Sequence, residues 1–210
     1  MDGFSVHIGL VVPFDRSNID TDAIVPKQYL KMLEKTGFGD FLFDDERYLD
    51  PGDVETPVSE RRKNPEFVLN RPPYDRGSIL LSRANFGCGS SREHAVWALK
   101  NFGIRVVLAS SFGDIFFNNC FNNGLLPVIL DEASIDELFE LAGRTDGVEL
   151  TVDLEHCEIR SSDKAWQFVV EPGRRRNLLD GLDEIGRTLT YADSIRNYEA
   201  TRNELEPWLY

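Results

Sequence analysis

The sequence is poor in cysteine and histidine, with three of each among its 210 residues. Cys88, Cys120 and Cys157 form no C-x-x-C pair, so we predict that this chain binds no metal ion and carries no iron–sulfur cluster of its own. The histidines are scattered and lack the spacing of metal ligands. An odd number of cysteines without a pairing pattern favours free thiols in a reducing compartment.

Basic residues are also scarce: 23 lysines and arginines stand against 36 aspartates and glutamates, a formal net charge of −13. Contacts with nucleic-acid phosphates or anionic lipids need a basic surface, so this charge argues against both partners. No apolar run approaches the roughly 20 residues that span a bilayer. The N-terminus opens with Asp2 instead of the basic segment of a signal peptide, and we expect a cytoplasmic protein.

The segments that are present alternate between strand and helix patterns. Apolar runs bounded by turn residues predict strands, and apolar residues at helical spacing predict helices. This alternation implies parallel crossovers, and therefore an α/β fold with a partly parallel sheet. In chain order the predicted elements are strands Val6–Pro13 and Ser78–Ala84, helix Ser90–Phe102, strand Arg105–Ser110, helix Asp114–Asn122 and strand Leu125–Leu130.

The rest of the chain predicts further helices and a hairpin. These elements are helix Lys27–Lys35, an irregular excursion over Phe38–Asn64, helix Ser134–Ala142 with a capping box of Ser134 and Glu137, a hairpin of Gly147–Ile159 and Trp166–Val170, and a polar helical stretch over Asn177–Glu204. We predict one domain over residues 1–210, with a core of about 1–176 and a C-terminal helical extension of about 177–210.

The stretch Asn85–Ala95, NFGCGSSREHA, is the most informative for chemistry. A buried strand enters a turn with Gly87 and Gly89, and the predicted helix begins at two serines. Unpaired N–H groups and the dipole at a helix start attract anions, and glycines let a ligand approach the backbone. Arg92 adds a planar fork that matches a carboxylate. This pattern predicts an anion-binding site with a serine hydroxyl in it.

A structural alternative exists for the same residues. Ser90 and Glu93 match a capping box, in which Ser90 only terminates the helix. The motif is neither a P-loop nor a nucleophile elbow, because G-K-[ST] and G-x-S-x-G are absent from it.

A second polar cluster lies in Asn18–Pro26, NIDTDAIVP. Asp20 and Asp22 flank Thr21 in a predicted turn. The carboxylates either complete the turn by bonding their own backbone or orient a hydroxyl or an arginine in a site.

With SFGDIFFNNCFNNGLLPV further along, these motifs make the chain resemble the swivelling domain of the aconitase superfamily. Its free-standing length, GFGDFLFDDERY and the terminal IRNYEATRNELEPWL resemble the small subunits of bacterial 3-isopropylmalate dehydratase. The resemblance covers nearly the whole chain and implies a layered β/β/α fold. It also implies a hydro-lyase that interconverts 2-isopropylmalate and 3-isopropylmalate in leucine biosynthesis, active only with a large subunit that holds a 4Fe–4S cluster.

The resemblance also implies roles for particular residues. Ser90 matches the family's catalytic base, which acts as an alkoxide, and Asp22 matches the aspartate of its T-D loop, a further catalytic position. Ser91 and Arg92 match positions that hold the substrate carboxylate, and we expect Thr21, Gly87 and Gly89 to line the same dicarboxylate site.

Substrate choice in this family depends on the segment after the T-D motif, here Lys27–Gly39. Lys31 is a candidate for a distal carboxylate, and Tyr29, Leu30 and Met32 for an isopropyl group. An ordinary amphipathic helix explains the same residues. Two other functions stay open: a small subunit acting on homoaconitate, citraconate or methylmalate, and a stand-alone module that binds small anions.

Overall fold

The computed structural model describes residues 1–32, 34–144 and 147–209. Among these residues, seven strands form a single sheet. The strands are β1 (Val6–Pro13), β2 (Ile79–Leu81), β3 (Val106–Ala109), β4 (Leu126–Ile129), β5 (Glu149–Asp153), β6 (Glu158–Arg160) and β7 (Ala165–Gln167).

The sheet is half parallel and half antiparallel, in the order β4-β3-β2-β1-β5-β6-β7. The central strand β1 pairs in parallel with β2, with Val12 opposite Leu80, and antiparallel with β5. Strands β2, β3 and β4 continue in parallel, whereas β5, β6 and β7 form an antiparallel meander. The prediction of a partly parallel α/β fold is confirmed. The predicted hairpin contains three strands, because the chain turns back twice between residues 149 and 167.

The helices cover both faces of this sheet. They are α1 (Thr21–Ile24), α2 (Asp44–Arg47), α3 (His94–Phe102), α4 (Asp114–Asn123), α5 (Glu132–Arg144), α6 (Pro172–Asp180), α7 (Glu184–Leu189) and α8 (Ala192–Leu205), with short 3-10 helices between some of them. No helix in the described ranges is long and apolar enough to cross a membrane.

The parallel strands are apolar on both sides because each side packs against helices. Val12, Leu80 and Val107 join a core with α3, α4 and the excursion that follows α1. Their sequence neighbours on the strands point to the opposite core, which contains α5 and the inner face of the antiparallel strands. Successive side chains of a strand point to opposite faces of the sheet, so one short run of apolar residues contributes to both cores.

A buried ion pair organises the excursion between α1 and β2. The Arg61 guanidinium contacts both carboxylate oxygens of Asp44, at 2.5 and 2.9 Å, and both side chains are almost completely buried. Arg61 also donates to the Tyr29 hydroxyl at 3.3 Å and to the Asp50 carbonyl. Burial, together with the Asp44 charge, raises the pKa of Tyr29. These bonds satisfy a charge that burial would otherwise penalise.

Two predicted helices differ from the structure, one in its start and one in its length and type. Helix α5 begins two residues before Ser134, and its first turn is capped by the Asp131 carboxylate, which accepts a 2.7 Å hydrogen bond from the Ser134 amide. The Glu137 carboxylate instead contacts Lys164 and Trp166. A short 3-10 helix, Lys27–Lys31, replaces the longer helix predicted after Pro26. Residue 33 of that prediction lies outside the described residues.

The C-terminal helices differ in how they contact the core. Leu178 of α6 is fully buried, and its carbonyl accepts a 2.8 Å hydrogen bond from the Phe4 amide. In contrast, α7 and α8 bury none of their side chains. The helical character of the C-terminal stretch is confirmed, while the domain boundary near residue 176 stays a prediction.

Candidate functional site

Two loops from distant parts of the sequence meet at the carboxyl ends of β1 and β2. The Gly87 amide donates to the Ile19 carbonyl at 2.7 Å, and the Thr21 amide donates to the Cys88 carbonyl at 2.9 Å. The loop after β3 pairs with the β2 loop in the same parallel sense. The carboxyl ends of neighbouring parallel strands share one edge of a sheet, where open α/β folds bind ligands. The pairing therefore brings the two polar motifs into one site.

Ser90 lies in the loop before α3 and not at the helix start. Helix α3 begins at His94, and Glu93 at its N-cap position makes no side-chain capping bond. The predicted helix over Ser90–Phe102 therefore starts too early, and the capping-box alternative for Ser90 and Glu93 is wrong. The physical reason is that the Ser90 amide and hydroxyl have a partner elsewhere in the chain.

That partner is Thr21, which is 69 residues away in sequence. The two hydroxyl oxygens are 2.7 Å apart, and the Ser90 amide donates to Thr21 Oγ1 at 3.1 Å. Thr21 is 3% exposed, whereas Ser90 is half-buried. The buried Thr21 thus contacts both the hydroxyl and the amide of the half-buried Ser90.

The charged residues of the two motifs also meet. Arg92 Nη2 is 2.8 Å from Asp22 Oδ1, and Lys27 Nζ is 3.4 Å from Asp22 Oδ2. Asp22 Oδ1 is buried and accepts no aligned hydrogen bond, so its contact with Arg92 is an ion pair of opposite charges in imperfect geometry. Asp22 therefore lies close enough to Arg92 to orient its guanidinium, and that role stays a prediction. Within the described part of the chain, Asp22 engages one nitrogen of the Arg92 guanidinium, which leaves its other N–H donors for an anionic ligand.

Gly87 and Gly89 are needed for different structural reasons. Gly87 has a φ of +73°, and a Cβ there would lie 2.2 Å from Cγ of the buried Phe116. Gly89 has a φ of +99° but is exposed, and the nearest atoms to its added Cβ are 3.5 Å away. Gly87 is thus needed for packing against α4, while Gly89 is needed only for its backbone conformation. Close approach of a ligand to the backbone stays a prediction. The exposed Gly89 is better placed for it than the buried Gly87.

Asn119 on α4 is a site residue that sequence reasoning missed. Its side-chain amide donates to the Ser91 carbonyl at 3.3 Å, which ties the serine loop to α4. The backbone carbonyl of Asn119 accepts a 2.8 Å hydrogen bond from the side-chain amide of Asn123. The side-chain oxygen of Asn123 in turn accepts a 3.0 Å hydrogen bond from the indole N–H of Trp97 on α3. The repeated asparagines of NNCFNNG were the available signal, but spacing alone could not show which of them reaches the loop.

His94 packs behind the site instead of facing it. Its ring lies 5.3 Å from the Phe38 ring and 4.6 Å from the Trp97 ring, and its Nδ1 is buried without a hydrogen bond. Burial, assisted by the nearby Arg92 charge, lowers the pKa of His94. The neutral imidazole therefore serves as part of the aromatic packing of α3.

The segment proposed for substrate choice is only partly available to a ligand. Tyr29 is fully buried, stacked on Phe41 with ring centroids 4.0 Å apart. Lys31 is exposed. Hydrogen bonds from Thr56 and Glu55 lower the pKa of the Asp53 carboxyl, and the nearby Lys31 charge adds a smaller contribution in the same direction. The structure brings Thr21, Asp22, Ser90 and Arg92 together but gives Lys31 no contact with them among the described residues.

The cysteines do not form a cluster site. Cys120 is completely buried in the core, and burial raises the pKa of its thiol well above the ordinary value. Cys88 lies in the serine loop and Cys157 on the turn between β5 and β6. Across residues 1–32, 34–144 and 147–209, no three histidine, cysteine or acidic side chains are grouped to hold a metal ion. The donor set of this chain does not fit a 4Fe–4S cluster.

Comparisons with known proteins agree along the whole chain. Residues 1–133 match the aconitase C-terminal domain, residues 136–172 match the family LeuD_N, and residues 184–210 match the C-terminal domain of the 3-isopropylmalate dehydratase small subunit. A 3-isopropylmalate dehydratase small subunit from Marinobacter nauticus is 54% identical over 211 residues, covering 100% of this chain and 98% of the relative. A crystal structure of 3-isopropylmalate dehydratase from Methanocaldococcus jannaschii has a TM-score of 0.63 at 28% identity, covering 92% of this chain and 99% of that one.

Proposed function

The chain belongs to the family of 3-isopropylmalate dehydratase small subunits in the aconitase superfamily, and we propose that it supplies the catalytic base to a two-subunit hydro-lyase. The enzyme interconverts 2-isopropylmalate and 3-isopropylmalate by dehydration and rehydration, in leucine biosynthesis. Its partner is the large subunit. The three cysteines are free thiols, which suits a cytoplasmic enzyme.

One observation supports the proposal beyond family membership. The two family motifs, separated by almost 70 residues, meet through the Thr21–Ser90 and Asp22–Arg92 contacts. A hydroxyl, a guanidinium and a carboxylate that orients it are the groups that a base-catalysed reaction of a dicarboxylate needs. A simple helix cap would need neither Thr21 nor the ion pair.

The residues of this chain perform the proton-transfer part of the reaction. Ser90, as an alkoxide, takes the proton from the carbon next to a substrate carboxylate, and Arg92 with Ser91 holds that carboxylate. The electron pair of the broken C–H bond forms the double bond while hydroxide leaves the adjacent carbon. Hydroxide then adds to the carbon that lost the proton, and Ser90 returns its proton to the carbon that lost the hydroxide. Asp22 fixes the guanidinium for both half-reactions.

The group that accepts the hydroxide belongs to the large subunit in this proposal. Family resemblance assigns a 4Fe–4S cluster to that subunit, where it acts as a Lewis acid. The cysteines of the present chain do not fit such a cluster, so this chain contributes no step there.

Reconstitution tests the proposal. The purified chain alone is expected to show no dehydratase activity on either isopropylmalate isomer. Addition of the large subunit is expected to give activity, with isopropylmalate preferred over homoaconitate, citraconate and methylmalate. Activity of the chain alone would contradict the proposal, and a preference for another malate would reassign the substrate.

A further inference from the structure

The hydrogen-bond pattern of Thr21 carries an inference about how Ser90 becomes a base. Thr21 Oγ1 accepts a hydrogen bond from the Ser90 amide at 3.1 Å and lies 2.7 Å from Ser90 Oγ. The second distance is the usual length of an O–H···O bond. A hydroxyl has one hydrogen to donate and two lone pairs to accept. The Ser90 amide uses one lone pair of Thr21 Oγ1, and the single hydroxyl hydrogen of Thr21 still needs an acceptor.

Burial decides where that hydrogen goes. Thr21 is 3% exposed, so its hydroxyl has little access to solvent, and an unmade hydrogen bond there is costly. Among the described residues, Ser90 Oγ is the side-chain oxygen that hydrogen-bonds with Thr21 Oγ1. Ser90 is half-buried and can satisfy its own hydrogen with water or a ligand. The arrangement in which Thr21 donates and Ser90 accepts therefore satisfies both groups.

We propose that Thr21 is the positioning residue that donates its hydroxyl hydrogen to Ser90 Oγ and thereby stabilises the Ser90 alkoxide. This inference rests on the proposed function, in which Ser90 is the base. Ser90 loses its proton to water before the reaction, and the resulting negative charge remains on Ser90 Oγ while Thr21 keeps its own proton. The alkoxide then takes the substrate proton.

Thr21 is held in place before the charge develops. Its amide donates to the Cys88 carbonyl at 2.9 Å, and it is the first residue of α1, whose N-cap Asp20 accepts a 2.7 Å bond from the Ala23 amide. A donor that does not have to reorganise stabilises a developing charge more effectively than solvent does. A rigid buried threonine meets that requirement.

The charges around the serine come from two segments. Arg92 follows Ser90 on its own loop, Asp22 and Lys27 approach from the α1 region, and Asp20 precedes Thr21. His94 lies behind them with its pKa lowered by burial. A change confined to the neutral Thr21 side chain leaves all of these charges unaltered, so a shift in the pH profile can be assigned to the lost hydrogen bond.

The test uses the enzyme assembled with its large subunit. Thr21→Val removes the hydroxyl but keeps the branched shape, and Thr21→Ser keeps the hydroxyl. We expect Thr21→Val to lower kcat roughly a hundredfold with KM little changed, as for loss of one donor to an oxyanion. The acidic limb of the kcat–pH profile, which reports deprotonation of the base, is expected to move to higher pH. Thr21→Ser is expected to restore most of kcat and the original profile.

Several results would overturn the inference. An equal loss in Thr21→Val and Thr21→Ser with no movement of the pH limb would make Thr21 a purely structural residue. A normal kcat in Thr21→Val, with Ser90→Ala inactive, would disprove the positioning role of Thr21 but leave the proposed function intact. Activity in Ser90→Ala would instead remove the proposed function. If Thr21→Val does not fold, Thr21→Cys, a weaker donor of similar size, must show an intermediate shift of the same limb.

Discussion

The core and the C-terminal helices use the same kinds of apolar residue in opposite ways. In residues 1–181, leucine, isoleucine and phenylalanine side chains fill two cores on the faces of the sheet. The large apolar side chains of α7 and α8 are exposed, namely Ile185, Leu189, Ile195, Tyr198 and Leu205. Trp208, which follows α8, is 75% exposed. The difference shows that apolar spacing along a helix does not by itself determine burial, which needs a facing surface in the same chain.

Local contacts account for the helices of the second region. The Asp183 carboxylate caps α7 by accepting a 2.6 Å bond from the Gly186 amide. In α8, Arg202 pairs with Glu206 one turn away at 2.8 Å. Capping bonds and charge pairs at this spacing each add a fraction of a kcal/mol to about 1 kcal/mol. The site, in contrast, depends on bonds between residues that are far apart in sequence.

The largest loss of stability is expected from breaking the buried ion pair of the core. Asp44→Asn leaves the Arg61 charge buried without its partner, and we expect the free energy of unfolding to fall by about 3–5 kcal/mol. Urea unfolding of the isolated chain measures it. The matched control is Asp50→Asn, which breaks the more exposed pair with Arg62 and is expected to change stability much less. Equal effects would contradict the role given to burial.

The pairing of Asp44 with Arg61 is also a feature that the sequence alone could not predict. The parallel strands and the α3 and α4 crossovers follow from apolar spacing and glycine-terminated helices, because those signals are local. Nothing in the charged run from Phe38 to Asn64 indicates that Asp44 and Arg61 are its buried pair. The same limit applies to Ser90. Its motif resembles a capping box, and only the contact with Thr21 shows that the helix starts at His94.

The second prediction compares the two glycines of the site. Gly87→Ala adds a Cβ that collides with Phe116 at a positive φ, and we expect a loss of about 2–4 kcal/mol in stability. Gly89→Ala meets only the strain of the positive φ, and about 1–2 kcal/mol is expected. Thermal and urea unfolding of both variants measure the difference. A Gly89 variant as unstable as the Gly87 variant would mean that the exposed side of the loop is also tightly packed.

The third prediction is a modest dependence of core stability on pH. Burial lowers the pKa of His94, so the unfolded chain binds a proton more readily than the folded chain below its ordinary pKa of about 6.5. The contribution of His94 to stability is therefore fully present well above about pH 6.5, and it is lost as the pH falls through about 6.5 toward the lowered pKa of the folded state. His94→Gln is expected to flatten the profile, leaving the share contributed by His7, whose pKa burial also lowers. An unchanged slope would indicate that His94 titrates normally.

The smallest change in stability is expected from removing the exposed C-terminal helices. Ending the chain after Leu182 removes α7 and α8, which bury no side chains, so the free energy of unfolding is expected to change by less than about 0.5 kcal/mol. Far-ultraviolet circular dichroism reports the loss of helix, and urea unfolding reports the stability of the remaining core. A loss of several kcal/mol would show that these helices pack on the core in solution.

The proton transfer assigned to Ser90 is tested most directly by comparing Ser90→Ala with Ser91→Ala in the assembled two-subunit enzyme. The account predicts that Ser90→Ala lowers kcat by roughly a thousandfold or more, while both variants fold and assemble. Ser91→Ala is expected to act mainly on KM, because Ser91 only holds the substrate. A Ser90→Ala enzyme that turns over within about tenfold of the unaltered enzyme would contradict the account, because a lost general base costs at least about a hundredfold.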